Sequence, residues 1–351
     1  MSKKLDFQLS CPMPEMDFDT ITIGHGGGGK LTQNLLKKGV FSLLDNEWLR
    51  EQDDAATLSL NGSVAFSTDS FVVSPIIFPG GTIGDLAING TVNDMAVCGA
   101  RPSFLSLSFI LEEGLKMDDF WQILVSIREA CAEAGLKVVT GDTKVVERGK
   151  GDQIFINTTG IGYVHPKAKM GVKSIREGDA IILSGPLARH GIAIMSKRKG
   201  LEFETQLKSD TRPLHTICNQ LVDKFGDAIH LMRDPTRGGA ATVLHEIAGQ
   251  SGFGIDLFEK NLPIDEEVAG ACEMLGLDPL FVANEGLFIA VVDSAIAKQF
   301  LETVKNWQFG KEASIIGNIT EEHPRQVVLS SIIGGKRVLP QASGELLPRI
   351  C

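Results

Sequence analysis

The sequence lacks the long apolar runs and the excess of positive charge that mark membrane and nucleic-acid-binding proteins. No run in its 351 residues approaches the roughly 20 apolar residues that cross a bilayer. Lysine and arginine number 34 against 44 aspartates and glutamates, which gives a net charge of −10. Nucleic acids and anionic membrane surfaces are bound by clustered lysine and arginine, so we expect neither partner.

Closely spaced cysteines are missing as well. The six cysteines stand at positions 11, 98, 131, 218, 272 and 351, and none forms a C-x-x-C pair. This spacing argues against a zinc knuckle or a disulfide framework and indicates a reducing compartment. The N-terminus also lacks the apolar stretch of a signal peptide. We therefore expect a cytoplasmic protein.

Alternating strand-like and helix-like segments predict an α/β or α+β protein of two domains. Residues 1–19 are polar and irregular, which predicts a flexible leader. Proline and glycine interrupt the alternation between 164 and 178, so we expect an N-terminal domain over 20–165 and a C-terminal α/β domain over 176–340. Residues 341–351 then form a mobile tail.

Apolar periodicity predicts the individual elements. Before the break, the predicted strands are 63–71, 104–111, 136–140 and 154–164, and the predicted helices are 83–97 and 117–134. After the break, the predicted strands are 180–184 and 287–292, and the predicted helices lie near 190–197, 212–224, 236–248 and 296–307. Thr236 is expected to cap the helix that it begins.

The chain ends in a cysteine. Pro340, Gly344 and Pro348 do not support a regular element, so the tail is expected to be extended and only partly held. A thiol on such a tail, here that of Cys351, can reach into a cleft. The alternative is a frayed terminus with an incidental cysteine.

The first unusual stretch is the glycine loop, Gly24 to Lys30, with the sequence GHGGGGK. It is incomplete as a P-loop because Leu31 replaces the hydroxyl residue that binds magnesium. It is also incomplete as a G-x-G-x-x-G dinucleotide-binding motif, because no convincing buried strand precedes it. A pliable loop rich in backbone N–H donors can still close over phosphates. A flexible linker is the alternative interpretation.

Several aspartates stand where an α/β protein places functional side chains. Asp94 lies on the apolar stripe of the helix 83–97, so its carboxylate is expected on a buried face, where it needs a cation. Asp69 lies inside a strand, and Asp142 is expected at the end of one. Oxygen ligands of this kind suit Mg²⁺. Taken singly, each aspartate is more simply a cap or turn residue.

The second half carries three further candidates. Asp234 and Thr236 belong to the stretch DPTRGG, which predicts a helix entry with exposed N–H groups that can bind an anion. Glu285 precedes a predicted strand, and His190 follows one. Both are also compatible with plain turn residues.

Seven motifs, in order, carry a resemblance to a known family. They are FSTDSF from Phe66, PGGTIG from Pro79, Asn93-Asp94, VTGDTKVV from Val139, RDPTRGG from Arg233, ANEG from Ala283 and the terminal PRIC from Pro348. Together they resemble the HypE family, the hydrogenase maturation factors called carbamoyl dehydratases. The resemblance covers nearly the whole chain from about residue 20 and extends more distantly to aminoimidazole ribonucleotide synthetase, selenophosphate synthetase and thiamine-monophosphate kinase.

The resemblance implies a fold and a nucleotide site. The fold is an aminoimidazole ribonucleotide synthetase-like pair of domains, which forms a homodimer through the mixed sheet of the N-terminal domain. Mg-ATP is expected under a lid made by the glycine loop. The residues implied for the metal are Asp54, Asp69, Asp94, Asp142 and Asp234. Those implied for the nucleotide are Gly26, Gly27, Gly28, Lys30, Asp69, Asp94, Asp142, Thr143, Asp234 and Thr236.

The resemblance also implies an activity. In the family, the terminal cysteine, here Cys351, accepts a carbamoyl group from a carbamoyltransferase, and ATP-dependent dehydration converts it to a thiocyanate. The cyanide then passes to the iron of a nickel-iron hydrogenase on an iron-carrying maturation scaffold. We expect Glu285 and His190 to remove and relay protons and Lys144 to neutralise the phosphorylated oxygen. The alternatives are a small-molecule phosphotransferase of the same superfamily and a non-catalytic scaffold with a docking tail.

Overall fold

Two β-sheets, one in each half of the chain, organise the structure. The computed structural model describes residues 11–52, 55–200, 207–341 and 350. The strands of the first half are β1 (Val64–Phe71), β2 (Ile77–Phe78), β3 (Gly81–Thr82), β4 (Ala100–Glu112), β5 (Lys137–Val146) and β6 (Ile154–Val164). Four of them form a mixed sheet in the order β1-β6-β4-β5, in which β4 and β5 are parallel and the other pairs antiparallel.

Helices cover one face of this sheet. They are α1 (Lys30–Leu35), α2 (Phe41–Leu44), α3 (Glu47–Glu51), α4 (Ile83–Val97) and α5 (Met117–Ala134), with a π-helical turn over Leu36–Val40. Thr82 begins α4, because its hydroxyl accepts from Gly84 N while the Asp85 carboxylate accepts from Thr82 N. The helix α4 packs against β1, β6 and α5.

The period-2 alternation of β1 decides which side chains meet α4. Ser67, Asp69 and Phe71 lie on the less exposed face, while Phe66, on the opposite face, is 70% exposed. Gly90 of α4 lies so close to this strand that an added Cβ would stand 2.7 Å from the Phe71 ring. The close approach brings the later turns of α4 next to the functional side chains of β1.

The N-terminal segment is held against the first half. The indole of Trp121 donates to the carbonyl of Cys11 at 3.1 Å, and Lys38 donates to the carbonyl of Glu15 at 2.9 Å. Cys11, Met13 and Met16 pack against the hydrophobic core. Residues 11–19, which the sequence predicts to be a flexible leader, therefore contact the first half through their backbone carbonyls and apolar side chains.

The second half forms a seven-stranded sheet. Its strands are β7 (Ala180–Leu183), β8 (Ile229–Arg233), β9 (Gly254–Phe258), β10 (Ile289–Val292), β11 (Ser314–Thr320), β12 (Val327–Ser330) and β13 (Lys336–Val338). Their order is β13-β12-β9-β11-β7-β10-β8, and β9 and β12 are the parallel pair. The helices are α6 (Arg189–Lys199), α7 (His215–Phe225), α8 (Gly239–Ser251), α9 (Glu266–Leu275) and α10 (Ala297–Lys305). The predicted mixed α/β class is confirmed.

The strongly periodic elements agree with the predictions, and two local predictions are wrong. The helices 83–97 and 117–134 and the strand 154–164 have the predicted bounds. Thr236 does not cap a helix: α8 begins at Gly239, and its preceding residue, Gly238, has the left-handed φ of 74°. Asp142 lies inside β5, which continues to Val146. None of the helices in the described ranges is long and apolar enough to cross a membrane.

Two helical glycines test the packing of α4. An added Cβ on Gly84 would stand 2.6 Å from the carbonyl oxygen of Ile123 in α5, whereas Gly249 in α8 has open space. We expect Gly84→Ala to destabilise the protein by about 1–3 kcal/mol, because the backbone of α5 must move. Gly249→Ala should stabilise it by about 0.5–1 kcal/mol, because alanine is the better helix former. Thermal unfolding measures both, and an equal shift of melting temperature for the two variants would contradict the close contact of α4 and α5.

Candidate active site

Three aspartates from three segments of the chain line one cleft. Asp69 comes from β1, Asp94 from α4, and Asp234 follows β8. The cleft has an empty volume of about 360 Å³, and its other lining residues are Ser70, Phe71, Gly90, Thr236, Arg237 and Glu285. The hydroxyl of Ser67 donates to Asp94 Oδ2 at 2.5 Å. The cleft lies between the two halves of the chain, since β8 belongs to the second sheet.

The carboxylates repel one another. Burial, followed by the negative charge of Asp94, raises the pKa of Asp69 to about 7, while Arg237 acts in the opposite direction. Burial and the same Asp94 charge raise the pKa of Asp234 to about 7. Like charges held together in a poorly solvated site favour protonation or a bound cation. A cation is expected at Asp94, and the structure places Asp69, Asp234 and the hydroxyl of Ser67 near it.

The donor set suits Mg²⁺ that is shared with a phosphate. Mg²⁺ prefers oxygen ligands and is commonly held by one or two carboxylates together with substrate phosphates. Within the described part of the chain, no group of three or more His, Cys, Asp or Glu side chains could hold a metal ion by itself. The aspartates of the cleft are oxygen donors of the kind that Mg²⁺ prefers. Asp54, another predicted ligand of the first half, lies outside the described residues.

Glu285 is held at the edge of this cleft by its backbone. The Asp210 carboxylate accepts from Glu285 N at 3.2 Å and from Gly286 N at 3.0 Å. Asn93 Nδ2 donates to the carbonyl of Glu285 at 3.2 Å. Asn93 and Asp210 are each 1% exposed, so both bonds are protected from water. These contacts fix the backbone of Glu285 in the cleft that Asp94 also lines.

His190 lies in the first turn of α6 and is fully buried. Its Nδ1 lies 2.8 Å from Ser209 Oγ, and its Nε2 lies 2.8 Å from the carbonyl oxygen of Ile350. Burial lowers the pKa of the imidazole. Ile350 is itself buried, in the same hydrophobic cluster as Ile194 and Ala283. The residue before Cys351 is thus inside the protein, while residues 342–349 and Cys351 itself lie outside the described residues.

A second pocket forms under the glycine loop at β5. Its empty volume is about 720 Å³, and the predicted residues that line it are Gly26, Gly28, Asp142, Thr143 and Lys144. Gly27 lies in the same loop, and Lys30 begins α1. Lys144 Nζ donates to Asp142 at 2.6 Å, and this ion pair lowers the pKa of Asp142. Val145 closes the loop onto the strand, since an added Cβ on Gly26 would stand 2.7 Å from Val145 N.

The predicted site residues therefore fall into two groups within one chain. The lining of the carboxylate cleft and that of the glycine-loop pocket share no residue among those described. Asp142 pairs with Ser108 and Gly141 with Leu107 across β4, so Asp142 lies on the opposite face of the sheet from the buried Leu107. Asp69 is on the helix-covered face. One-residue alternation along the strands separates Asp142 from the cluster that it was predicted to join.

Sequence reasoning missed the residues that hold the site together. Asn93 and Asp210 bind the backbone of Glu285, and Ser209 contacts His190. Asn284 joins three loops: its Oδ1 accepts from Ala188 N at 2.7 Å, and its Nδ2 donates to the carbonyl of Pro235 at 2.8 Å. A polar residue beside Asp94 was a usable signal for Asn93. Asp210 and Ser209 are too far in the sequence from the residues that they contact for any local sequence pattern to predict these hydrogen bonds.

Comparisons with known proteins identify the family. Residues 52–164 match the AIR synthase related protein N-terminal domain, and residues 176–330 match the C-terminal domain of the same family. The carbamoyl dehydratase HypE of Cupriavidus necator is 46% identical over 94% of this chain and 95% of its own. The HypE of Escherichia coli is 42% identical over 95% of this chain and 100% of its own.

The chain belongs to the HypE family of carbamoyl dehydratases.

Solved structures agree with this assignment. A HypE crystal structure in complex with ATP has a TM-score of 0.90 and 44% identity, and covers 94% of this chain and 99% of its own. A HypE relative solved as a HypE-HypF complex has a TM-score of 0.77 and 44% identity. Thiamine monophosphate kinase from Aquifex aeolicus, at 18% identity and a TM-score of 0.57, shares the fold. The resemblance to HypE and the aminoimidazole ribonucleotide synthetase-like fold are confirmed.

The repulsion in the carboxylate cleft has a consequence for stability. The pKa values of Asp69 and Asp234, about 7, exceed the ordinary carboxyl value of 3.8, so the folded protein binds more protons between these pH values than the unfolded chain. Stability without a divalent cation should therefore fall as the pH rises from about 4 to about 7. We expect Asp234→Asn to raise the melting temperature at pH 8 and to change it little at pH 4. A melting temperature of Asp234→Asn below that of the natural protein at pH 8, without Mg²⁺, would contradict the repulsion.

Proposed function

We propose that this protein is an ATP-dependent carbamoyl dehydratase that converts an S-carbamoyl group on its own Cys351 to a thiocyanate. The observation that carries the proposal is the buried position of Ile350, the residue before Cys351, against His190. Relatives that carry the carbamoyl dehydratase name match nearly the full length, and one family structure holds ATP. The product supplies the cyanide of a nickel-iron hydrogenase.

The chemistry explains why ATP is needed. The carbamoyl oxygen must leave the carbon, and oxide or hydroxide is a very poor leaving group at neutral pH. In the proposed reaction, this oxygen attacks the γ-phosphorus of ATP, its bond to phosphorus forms, and ADP leaves. The two amide protons are then removed, the C–O bond breaks with phosphate as leaving group, and the nitrogen lone pairs form the C≡N bond. The products are thiocyanate, ADP, phosphate and a proton.

The residues of the carboxylate cleft and those of the glycine-loop pocket have different roles in the proposed reaction. Asp69, Asp94 and Asp234 hold Mg²⁺, and Thr236 contacts the nucleotide beside them. Bound Mg²⁺ supplies positive charge that neutralises the phosphate oxygens. Glu285 takes an amide proton, a role typically worth about 10² to 10⁴ in rate. The remaining nucleotide contacts are assigned to Gly26, Gly27, Gly28, Lys30, Asp142 and Thr143.

Lys144 neutralises the phosphorylated oxygen in this proposal. Its ion pair with Asp142 stands at the rim of the glycine-loop pocket and keeps the ammonium group there. The metal-binding set implied by the family also includes Asp142 and Asp54, of which Asp54 lies outside the described residues. His190 was predicted to relay protons together with Glu285, but its contacts with Ser209 and Ile350 support another role.

The protein is proposed to act as a homodimer through the exposed face of its first sheet. Phe66 and Ile110 are 70% and 44% exposed on this face, which also carries Asp142 and Lys144. Large apolar side chains on an exposed sheet face favour association with a second surface. A second copy packed on this face would cover the apolar side chains and enclose the Asp142 and Lys144 pair.

Two further partners belong to the proposal. A carbamoyltransferase delivers the carbamoyl group to Cys351, which agrees with the HypE-HypF complex solved for a relative. An iron-carrying maturation scaffold accepts the cyanide. Both encounters require the tail to leave the position in which Ile350 is buried. They take place in the cytoplasm, where unpaired cysteines stay reduced.

Asp94 tests the dehydration step apart from the carbamoylation step. We expect Asp94→Asn to lower the single-turnover rate of dehydration at least about 100-fold, because the metal loses a charged ligand. Carbamoylation of Cys351 by the partner should be unchanged. Asp118→Asn, an exposed substitution of the same kind on α5, is the matched control. Intact-mass spectrometry after incubation with the carbamoyltransferase, its carbamoyl donor and ATP follows both steps, since dehydration removes the mass of one water.

The same experiment separates the alternatives. A Cys351→Ala variant that turned over ATP at an undiminished, carbamoyl-dependent rate would indicate a soluble substrate and a phosphotransferase. An Asp94→Asn variant with full dehydration would disprove the metal site. If Asp94→Asn left the function of the protein intact while deletion of the tail abolished it, the protein would be a non-catalytic scaffold with a docking tail.

The sheet face tests the homodimer. We expect Phe66→Asp to weaken the dimer strongly, because burying an unpaired carboxylate in an apolar interface is unfavourable. Ile333→Asp is the control, since Ile333 is 95% exposed and lies beyond β12 in the second half. Sedimentation velocity over a range of concentrations measures the association. If Phe66→Asp and Ile333→Asp both associated as strongly as the natural protein, this face would not be the interface.

A further inference from the structure

The hydrogen-bonding pattern of His190 determines which ring nitrogen carries the proton. A carbonyl oxygen can only accept a hydrogen bond, so Nε2, at 2.8 Å from Ile350 O, must carry a hydrogen. The imidazole is fully buried, which disfavours a second proton. In the neutral ring, Nδ1 is then the acceptor, and Ser209 Oγ, at 2.8 Å, donates to it. Both ring nitrogens are therefore engaged.

Ser209 is itself fixed in the orientation that this pattern requires. Its backbone N–H donates to the carbonyl of Pro79 at 2.8 Å, which ties it to the β2–β3 turn of the first half. Its Oγ accepts from Thr211 N at 3.1 Å, which leaves the hydroxyl hydrogen for His190. The Phe78 ring packs against the imidazole in a T-shaped arrangement, with the centroids 5.6 Å apart. The ring is thus fixed in one tautomer and one orientation.

Ile350 is held by its side chain as well as by its carbonyl. The side chain is 3% exposed and shares the first hydrophobic cluster with Ile194 of α6 and with Ala283. The segment around Ala283 also contacts α6 through the Gly191 N–H, which donates to Ala283 O at 3.0 Å. His190 and this apolar surface together recognise the backbone and side chain of the residue before Cys351.

We propose that His190 is a latch for the tail: as a neutral Nε2–H donor it holds the carbonyl of Ile350, and Ser209 is the positioning residue that sets its tautomer. The inference rests on the proposed function and changes one predicted role. A ring whose Nδ1 accepts from Ser209 and whose Nε2–H donates to the tail does not take a proton from the carbamoyl group. Glu285 remains as the proton acceptor, and His190 determines how long the tail stays in place.

The reactivity of Cys351 toward an alkylating reagent tests the latch without ATP or a partner. His190→Leu, which removes the donor, should increase the rate of Cys351 alkylation about 3- to 10-fold, as expected for the loss of one buried hydrogen bond. His190→Gln, whose amide N–H can replace Nε2–H, should restore most of the protection. Peptide mass spectrometry separates Cys351 from the exposed Cys98, which serves as the internal reference.

A second pair of variants guards against a folding defect at the buried histidine. Ile350→Ala removes most of the buried side chain of the tail and should also raise the alkylation rate, while Ile350→Val should have a smaller effect. These changes lie outside the two sheets, so the melting temperature should stay near that of the natural protein. Unchanged alkylation in both His190→Leu and Ile350→Ala would overturn the latch.

The pH dependence of dehydration separates a latch from a proton acceptor. With Cys351 carbamoylated beforehand, the single-turnover rate of His190→Gln should stay within about 10-fold of the natural rate and keep the same acidic limb. A loss of about 10² to 10⁴ together with disappearance of that limb would assign His190 to proton transfer and overturn the proposal. Alkylation does not depend on dehydration, so failure of the latch and failure of the proposed function give different results.

Discussion

The amide of Asn93 holds the two halves of the protein in register. Its Oδ1 accepts from Leu214 N at 2.8 Å, and its Nδ2 donates to the carbonyls of Arg212 and Glu285 at 3.1 and 3.2 Å. The side chain is 1% exposed, so each of these bonds would be costly to lose. Asp94, the next residue of α4, thereby faces the loops of the second sheet. The carboxylate cleft exists because α4 packs on the first sheet and also binds the loops of the second half.

The same junction explains how the protein tolerates repelling carboxylates. Bringing Asp69, Asp94 and Asp234 together is unfavourable, as the raised pKa values of Asp69 and Asp234 indicate. The surrounding contacts offset this cost, since Gly90 lets α4 approach β1 and Asn284 joins the loops before α6 and after β8. Unfavourable electrostatics in a rigid, well-packed setting are typical of functional sites. Such a site is ready for a cation that arrives with its substrate.

Sequence periodicity predicted the helices and strands better than it predicted the tertiary contacts between them. The bounds of α4, α5 and β6 follow from continuous apolar patterns that burial enforces. The start of α8 was misplaced because two glycines with left-handed φ, Gly238 and Gly239, lead into the helix. Asp142 was assigned to the end of a strand because β5 continues through polar residues on an exposed face. The hydrogen bonds of Asp210 and Ser209 join segments far apart in the chain, which no local pattern encodes.

The contacts of Ile350 separate recognition of the tail from recognition of its chemical state. His190 binds a backbone carbonyl, and the apolar cluster binds an isoleucine side chain; neither group is altered when the thiol is modified. The latch therefore holds free, carbamoylated and thiocyanate forms of the tail alike and cannot select among them. Selection falls to the carboxylate cleft, where phosphorylation needs the carbamoyl oxygen. A substrate on the same chain has a high effective concentration, so a weak latch is enough for dehydration and still allows release to a partner.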